Sequence, residues 1–337
     1  MFKFGKLLIG GPSTVFIAEI GLNHDGSIDQ AEKMIEEASR AGADIAKFQM
    51  IIPERLFASY DTDDFSGKSL INFFKKYEFP NLWLPRLKKC CEKNNIEFLV
   101  TPFYEEAIEI LERTGVYGYK VASFELWHTP LLKRIKSTGK PVFISTGMAE
   151  EDDLFKIYKL FGEYPLSMFQ CISLYPPSPD DMNLLTIKRI SELFPNYVTG
   201  FSDHSHELTA VISAVTLGAK IIEKHFTLDK QLPGADHAIS LNPQEFSNMV
   251  NEVKKLERMF GIPLKTRQKS EINAYIYGRR SIFCIKDIKK GQKITAENID
   301  FLRPGTGLKP EMWNIIEGRI ASKDLKANNP INYGDFW

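Results

Sequence analysis

The chain lacks three things: an apolar run long enough to cross a bilayer, an excess of either charge, and a paired cysteine spacing. Its 337 residues carry 43 basic and 43 acidic side chains, with no long stretch of one sign. That removes the electrostatic footprint of a nucleic-acid binder and points to a small-molecule partner. The four cysteines, Cys90, Cys91, Cys171 and Cys284, show no C-x-x-C spacing, and adjacent cysteines seldom pair. They read as free thiols, small buried hydrophobes in a reducing compartment. The first eleven residues are basic and apolar, but their apolar run is too short for a signal peptide or a membrane span. A cytoplasmic protein with no membrane partner is the expectation. The length suits one large domain and a small one.

Eight short apolar runs are present, at 15–20, 44–50, 96–101, 119–123, 141–146, 167–172, 197–203 and 220–226. They read as strands. Between them apolar residues recur at spacings of three and four, as in Ala31, Met34, Ile35 and Ala38, or Leu208, Val211, Ile212 and Val215, which is the helical period. Apolar strands alternating with helices indicate a covered parallel sheet, and eight units in about 260 residues match a (β/α)8 TIM barrel, an α/β fold. An open doubly wound sheet is the alternative, although no dinucleotide glycine fingerprint is present. The barrel is expected over 1–260. A polar, basic linker is expected over 261–280 and a small β-rich domain over 281–337. So small a piece would have little core of its own and would dock on something larger.

Histidine is also scarce, with six in the chain, and none falls in the amphipathic helical stretches. His204, in Gly200-Phe-Ser-Asp-His204, and His225, in Glu223-Lys-His225, stand at the ends of neighbouring strands. Either alone reads as a hydrogen-bonded core histidine. Together, with Asp203, Glu223 and Asp236 near them, they form a candidate divalent-metal site. Two imidazoles leave positions for water or substrate, as an open Lewis-acid site needs. Reacting groups of a barrel gather where strands end and loops begin at the C-terminal face. There the sequence places Glu19, Asn23 and His24, then Lys47 and Gln49, then Thr101. Further along come Lys120, Ser123 and Glu125, Ser173 and Tyr175, Ser202, Asp203 and His204, and Glu223 and His225, all expected in one cleft. Lys47 and Lys120 lie in otherwise buried strands. Each must neutralise, find an anion, or form an ion pair, with Glu19 or Glu223 as partners for Lys47. Two lysines facing one cavity repel unless an anion such as a phosphate or carboxylate lies between them.

Six motifs taken together resemble the sialic acid synthase family of nonulosonic acid synthases. They are Ala18-Glu-Ile-Gly-Leu-Asn-His-Asp-Gly26, Gly42-Ala-Asp-Ile-Ala-Lys-Phe-Gln49, Ser145-Thr-Gly-Met148, Gly200-Phe-Ser-Asp-His204, Glu223-Lys-His-Phe226 and Pro233-Gly-Ala-Asp236. The last segment, with Ile285-Lys-Asp-Ile-Lys-Lys-Gly291 and Leu302-Arg-Pro-Gly305, is similar to that family's C-terminal antifreeze-like (SAF) domain. The resemblance implies condensation of phosphoenolpyruvate with an N-acyl hexose, such as N-acetylmannosamine or a 2,4-diacetamido sugar. The product would be a nine-carbon 2-keto acid for surface polysaccharide. It implies Mn2+ or Mg2+ held by His204 and His225. It implies phosphoenolpyruvate bound by Lys47, Thr101, Lys120, Ser123, Ser173 and Ser202. Glu19, Lys47, Gln49, Lys120 and Asp236 would be the catalytic set, and Glu125, Tyr175, Asp236 and Arg303 would meet the sugar. Arg303 would reach the neighbouring subunit's site in a domain-swapped homodimer.

The wording Ala122-Ser-Phe-Glu125 resembles pseudaminic acid synthases, whereas Pro233-Gly-Ala-Asp-His237 is similar to sialate-like, legionaminate-like and spore-coat members. Two other readings stay open. One is a phosphoenolpyruvate-dependent 3-deoxy sugar acid synthase, and the other is a non-catalytic sugar-binding barrel.

Overall fold

A computed structural model describes residues 1–62 and 65–337. The chain divides into two compact units, Met1–Gly261 and Ile262–Trp337. The first opens with a hairpin, β1 (Phe2–Phe4) against β2 (Leu7–Ile9). Eight parallel strands follow. They are β3 (Val15–Gly21), β4 (Ile45–Met50), β5 (Glu97–Pro102), β6 (Tyr119–Val121), β7 (Val142–Ser145), β8 (Leu166–Cys171), β9 (Val198–Asp203) and β10 (Ile221–His225). Their order is β5-β4-β3-β10-β9-β8-β7-β6, and the two end strands pack side by side, so the sheet closes into a TIM barrel. The eight runs read from the sequence coincide with these strands, and the open sheet is excluded.

Alternation along each strand sorts the side chains. On β3, Phe16, Ala18 and Ile20 face the helices, while Val15, Ile17 and Glu19 face the axis. The lower interior is apolar: Val15, Ile17, Ile45, Leu99, Phe143, Phe169, Val198 and Ile221 pack together with Phe4 and Ile9 of the hairpin. The first eleven residues therefore plug the barrel's base, a role that the sequence reading had not assigned them. Gly200 is inward-facing beside Phe169, and a Cβ there would come within 2.7 Å of that ring. Only glycine leaves room for the phenyl group at this level.

The outer helices bury the stripes that periodicity selects. Helix Ile28–Arg40, capped by Ser27 accepting from Gln30 N, buries Ala31, Met34, Ile35 and Ala38. Helix Leu208–Thr216 differs: Ala210, Val211, Ala214 and Val215 are buried, and Leu208 is exposed. Apolar residues surround that helix, so period alone does not fix its inner face, and the small alanines take the close contact. Helix Pro243–Phe260 starts with a capping box in which Asn242 and Glu245 satisfy each other's backbone amides.

The second unit holds β11 (Ser281–Cys284) antiparallel to β12 (Ile299–Leu302). Its core contains Ile282, Cys284, Ile288, Ile294, Ile299, Leu308, Ile316, Ala321, Leu325 and Ile331, more than was anticipated for so short a segment. The stretch read as a linker is not featureless: it carries helix Ile272–Gly278, and all but Gly261 clusters with the second unit. Among the described residues no helix is long and apolar enough to cross a membrane.

Candidate active site

Above the apolar layer the inward positions turn polar. Glu19 (β3), Lys47 and Gln49 (β4), Thr101 (β5), Lys120 (β6), Ser145 (β7), Cys171 (β8), Ser202 (β9), and Glu223 and His225 (β10) line a cavity of about 230 Å3 at the C-terminal end of the barrel. Loop residues Ser123, Tyr175, His204 and Asp236 complete its polar wall, and Leu22, Phe74, Phe103 and Phe124 its apolar one.

The floor is a buried charge network. Lys47 Nζ lies 3.3 Å from Glu19 Oε2 and 3.2 Å from Glu223 Oε1, so both ion pairs considered for it form. Lys120 Nζ is 3.9 Å from the same Glu223 oxygen and donates to Val121 O and Ser145 Oγ. The anion between the lysines is thus a carboxylate of the chain itself. Ser202 Oγ donates to Glu223 Oε1 at 3.0 Å, and Gln49 Nε2 donates to Glu19 Oε1 at 2.6 Å. Burial would raise Glu223, but Lys120 and Lys47 hold it below the usual carboxylate range. Glu19 has less compensation: burial, with Glu223 adding to it against Lys47, pushes it up to about 7. Burial draws Lys120 down to about 8, whereas Lys47, buried as well, is held above its ordinary value by Glu19 and Glu223.

The two histidines face each other with ring centroids 5.4 Å apart. His204 Nδ1 donates to Ile172 O at 2.8 Å, which leaves Nε2 with the lone pair. Burial would lower His204, but the Cys171 thiol beside the ring raises it above its ordinary value. His225 Nδ1 is buried without a protein hydrogen-bond partner and is 3.6 Å from Asp236 Oδ2. Burial, then His204 and Lys47, hold His225 well below its usual value, and a neutral imidazole is the form that binds a metal. Tyr175 packs against His204 with ring centroids 4.1 Å apart and the planes tilted by 34°. Among the described residues no group of three or more His, Cys, Asp or Glu side chains converges as a metal cage.

Not every anticipated residue joins the cavity lining. Asp203 ends β9 facing outward, where it takes the amine of Lys224 at 2.6 Å and the amide of Ser205, because alternation puts it on the face opposite Ser202. His24 is packed against Phe79 and Trp83 and accepts from Gly26 N, while Asn23 bonds Phe226 O and Ser240 Oγ. Glu125 is buried and bonds His128 Nδ1 at 2.8 Å, turned away from the position assigned to it beside the sugar. Ser173 Oγ is buried without a partner, behind Gly147, where a Cβ would collide with it. Arg303 belongs to the second unit.

The apolar wall and two polar cavity residues had escaped the sequence reading. Ser145 could have been found from alternation, two residues after the inward Phe143. Cys171 was read as a plain buried thiol. Burial would raise it, yet the His204 ring beside it pulls it below the ordinary thiol value.

Comparison with known proteins fixes the family. The NeuB family model matches residues 34–265 and a SAF domain model matches 279–336. The chain belongs to the NeuB family. It is 36% identical over 330 residues to the pseudaminic acid synthase of Campylobacter jejuni, covering 95% of this chain and 96% of the relative. It is 35% identical over 360 residues to the spore coat polysaccharide biosynthesis protein SpsE of Bacillus subtilis, covering 99% and 96%. The crystal structure of an N-acetylneuraminic acid synthetase from Leptospira borgpetersenii superposes with a TM-score of 0.75 at 33% identity, over 81% of this chain and 94% of that one. As a member of the NeuB family carrying a SAF domain, the protein is an enzyme of the nonulosonic acid synthase class.

Proposed function

We propose that this NeuB-family enzyme condenses phosphoenolpyruvate with the open-chain aldehyde of an N-acyl hexose, giving a nine-carbon 2-keto sugar acid and inorganic phosphate. The observation that carries the reading is the pairing, in one cavity, of two buried lysines with two facing histidines. Lys47 and Lys120, with Thr101, Ser123 and Ser202, would hold the phosphoenolpyruvate anion. The buried Thr101 Oγ1, in the cavity wall, lacks a protein partner, which supports a polar ligand close by.

His204 and His225 fit a divalent ion, Mn2+ or Mg2+, through Nε2 of the first and the unpartnered Nδ1 of the second. A bound ion would supply Lewis-acid polarisation of the aldehyde oxygen. The chain's own groups carry the rest. The lysines fix the enol so that its terminal carbon faces the aldehyde carbon. As the new carbon–carbon bond forms, positive charge develops on the carbon bearing the phosphate ester. Water adds to that carbon, and Glu19, raised towards neutrality and with Oε2 free of hydrogen bonds, takes the water's proton. Loss of phosphate from the resulting tetrahedral carbon leaves the 2-keto acid. Gln49 holds Glu19 in place, and Asp236 and Tyr175 border the sugar. Arg303 would meet that sugar from a partner subunit in a homodimer.

The relatives' names specify different sugars, so the hexose is decided by assay. Phosphate release from phosphoenolpyruvate with a panel of N-acyl hexoses should show dependence on one of them. Release equal with and without sugar, or none at all, excludes the assignment. A phosphorylated aldose outperforming every N-acyl hexose would mark a 3-deoxy sugar acid synthase.

A further inference from the structure

Loop 22–26, after β3, and loop 226–240, after β10, both contribute to the cavity, the first through Leu22 and the second through Ala235 and Asp236. They are 200 residues apart in sequence and are stitched together twice. In one stitch Asn23 Nδ2 donates to Phe226 O and Ser240 Oγ, each at 2.9 Å, and Ser240 Oγ donates to Asp236 O at 2.6 Å. In the other, His237 bridges with both ring nitrogens. Its Nδ1 is 2.7 Å from Thr227 Oγ1, within its own loop. Its Nε2 is 3.0 and 3.2 Å from the two oxygens of Asp25, across the gap.

His237 is 1% exposed and touches none of the cavity. A structural histidine of this kind needs no further role, but its place in the chain gives it one. It follows Asp236 directly, so the two stitches grip the backbone of Asp236 from either side while leaving its carboxylate free, 3.6 Å from His225 Nδ1. Thr227 Oγ1 also meets Asp229 O and N at 3.0 and 3.1 Å, which fixes the near end of the same loop. Asp25 in turn is braced by Gln30 Nε2 at 2.8 Å. Gly234 lies against the imidazole, and a Cβ there would overlap the ring, so the turn before Asp236 is built around His237.

We propose that His237, through its bond to Asp25, is a positioning residue that sets Asp236 against His225 and the sugar. The proposal rests on the reading of this cavity as a synthase site. A hydrogen bond from a buried imidazole to a half-buried carboxylate across two loops constrains their separation, and a displacement of about 1 Å at a reacting group costs up to about 100-fold in rate.

Two near-isosteric variants separate the two ring nitrogens. The amide nitrogen of glutamine falls where Nε2 stood, and that of asparagine where Nδ1 stood. His237→Gln keeps the bond to Asp25 and gives up Thr227; His237→Asn does the reverse. The expected result is a fall of roughly 10- to 100-fold in kcat/KM for the sugar in His237→Asn. His237→Gln should stay near wild type, and both should keep the wild-type KM for phosphoenolpyruvate. Equal behaviour of the two variants, or a phosphoenolpyruvate KM that moves with that of the sugar, overturns the proposal. Hydrogen–deuterium exchange without substrates gives an independent reading: segments 22–26 and 226–240 should both exchange faster in His237→Asn and not in His237→Gln. If wild-type protein releases no phosphate with any N-acyl hexose, the synthase reading fails, and the exchange pattern still decides whether Asp25 and His237 couple the loops.

Discussion

Lys47 Nζ is 3.2 Å from Glu223 Oε1, and both side chains are buried. That contact makes the two cavity lysines unequal. Lys47 neutralises Glu19 and Glu223 together, whereas Lys120 stands 3.9 Å from Glu223 and is disfavoured as a cation by its burial. Removing Lys47 strands two buried carboxylates, and breaking a buried pair in this way costs about 3–5 kcal/mol. Removing Lys120 takes one of two cations from Glu223 but leaves Lys47 beside it.

Lys47→Met should therefore lower the melting temperature clearly, and Lys120→Met should lower it less. Both should impair the use of phosphoenolpyruvate more than that of the sugar, since each deletes a positive charge from the anion site. Thermal melts and steady-state kinetics on the two variants check this. Wild-type phosphoenolpyruvate dependence in both would assign the lysines to structural ion pairing alone.

The same network sets a pH dependence. Glu19, raised to about 7, accepts a proton only when ionised, so kcat/KM should climb as pH rises through that value. Lys120, lowered to about 8, attracts the anion only while protonated, so kcat/KM for phosphoenolpyruvate should fall as pH rises through 8. The profile is a narrow bell reporting the free enzyme. In Lys120→Met the alkaline limb should disappear from whatever activity remains. A wild-type profile flat from about pH 6 to 9 would remove both groups from these roles.

The barrel was legible because its strands are mostly apolar on the helix side, and most of the polar residues interrupting them fall in the inward register. That parity is why Glu19, Lys47, Lys120, Ser202 and His225 could be picked out of one sequence. Parity also explains a miss, because Asp203 sits one residue after Ser202 and so points the other way, to Lys224. Loop residues have no such parity. Glu125 was grouped with Ser123 by proximity in sequence, but a single turn of 3-10 helix, Ser123–Glu125, carries it towards His128. The hairpin plug was hidden by its brevity: two strands of three residues give too few alternations to read.

Metal dependence follows from the facing imidazoles. His204→Gln and His225→Gln should each cut turnover by orders of magnitude and weaken Mn2+ retention, measured by equilibrium dialysis and elemental analysis, because a two-histidine site loses half its protein donors with either change. Folding should survive, since the His204 ring bonds one backbone carbonyl and lies beside one thiol, and His225 Nδ1 makes no protein hydrogen bond. Full activity in thoroughly chelated protein containing no metal would sink the assignment.

The assembly proposed above gives the last test. Arg303 follows β12 in a unit with its own core, and if it serves a partner's cavity each active site draws on two chains. Glu19→Ala and Arg303→Ala chains, each inactive alone, should then complement when co-expressed. In a mixed dimer one site receives both defects and the other neither. Random pairing makes half the dimers mixed, and each has one good site of two, so about a quarter of wild-type activity should return. The ratio of chains in purified mixed dimers, measured by mass spectrometry, confirms that pairing occurred. Mixed dimers as inactive as either parent would place Arg303 in its own chain's site or outside the chemistry altogether, because complementation requires the arginine to cross between subunits.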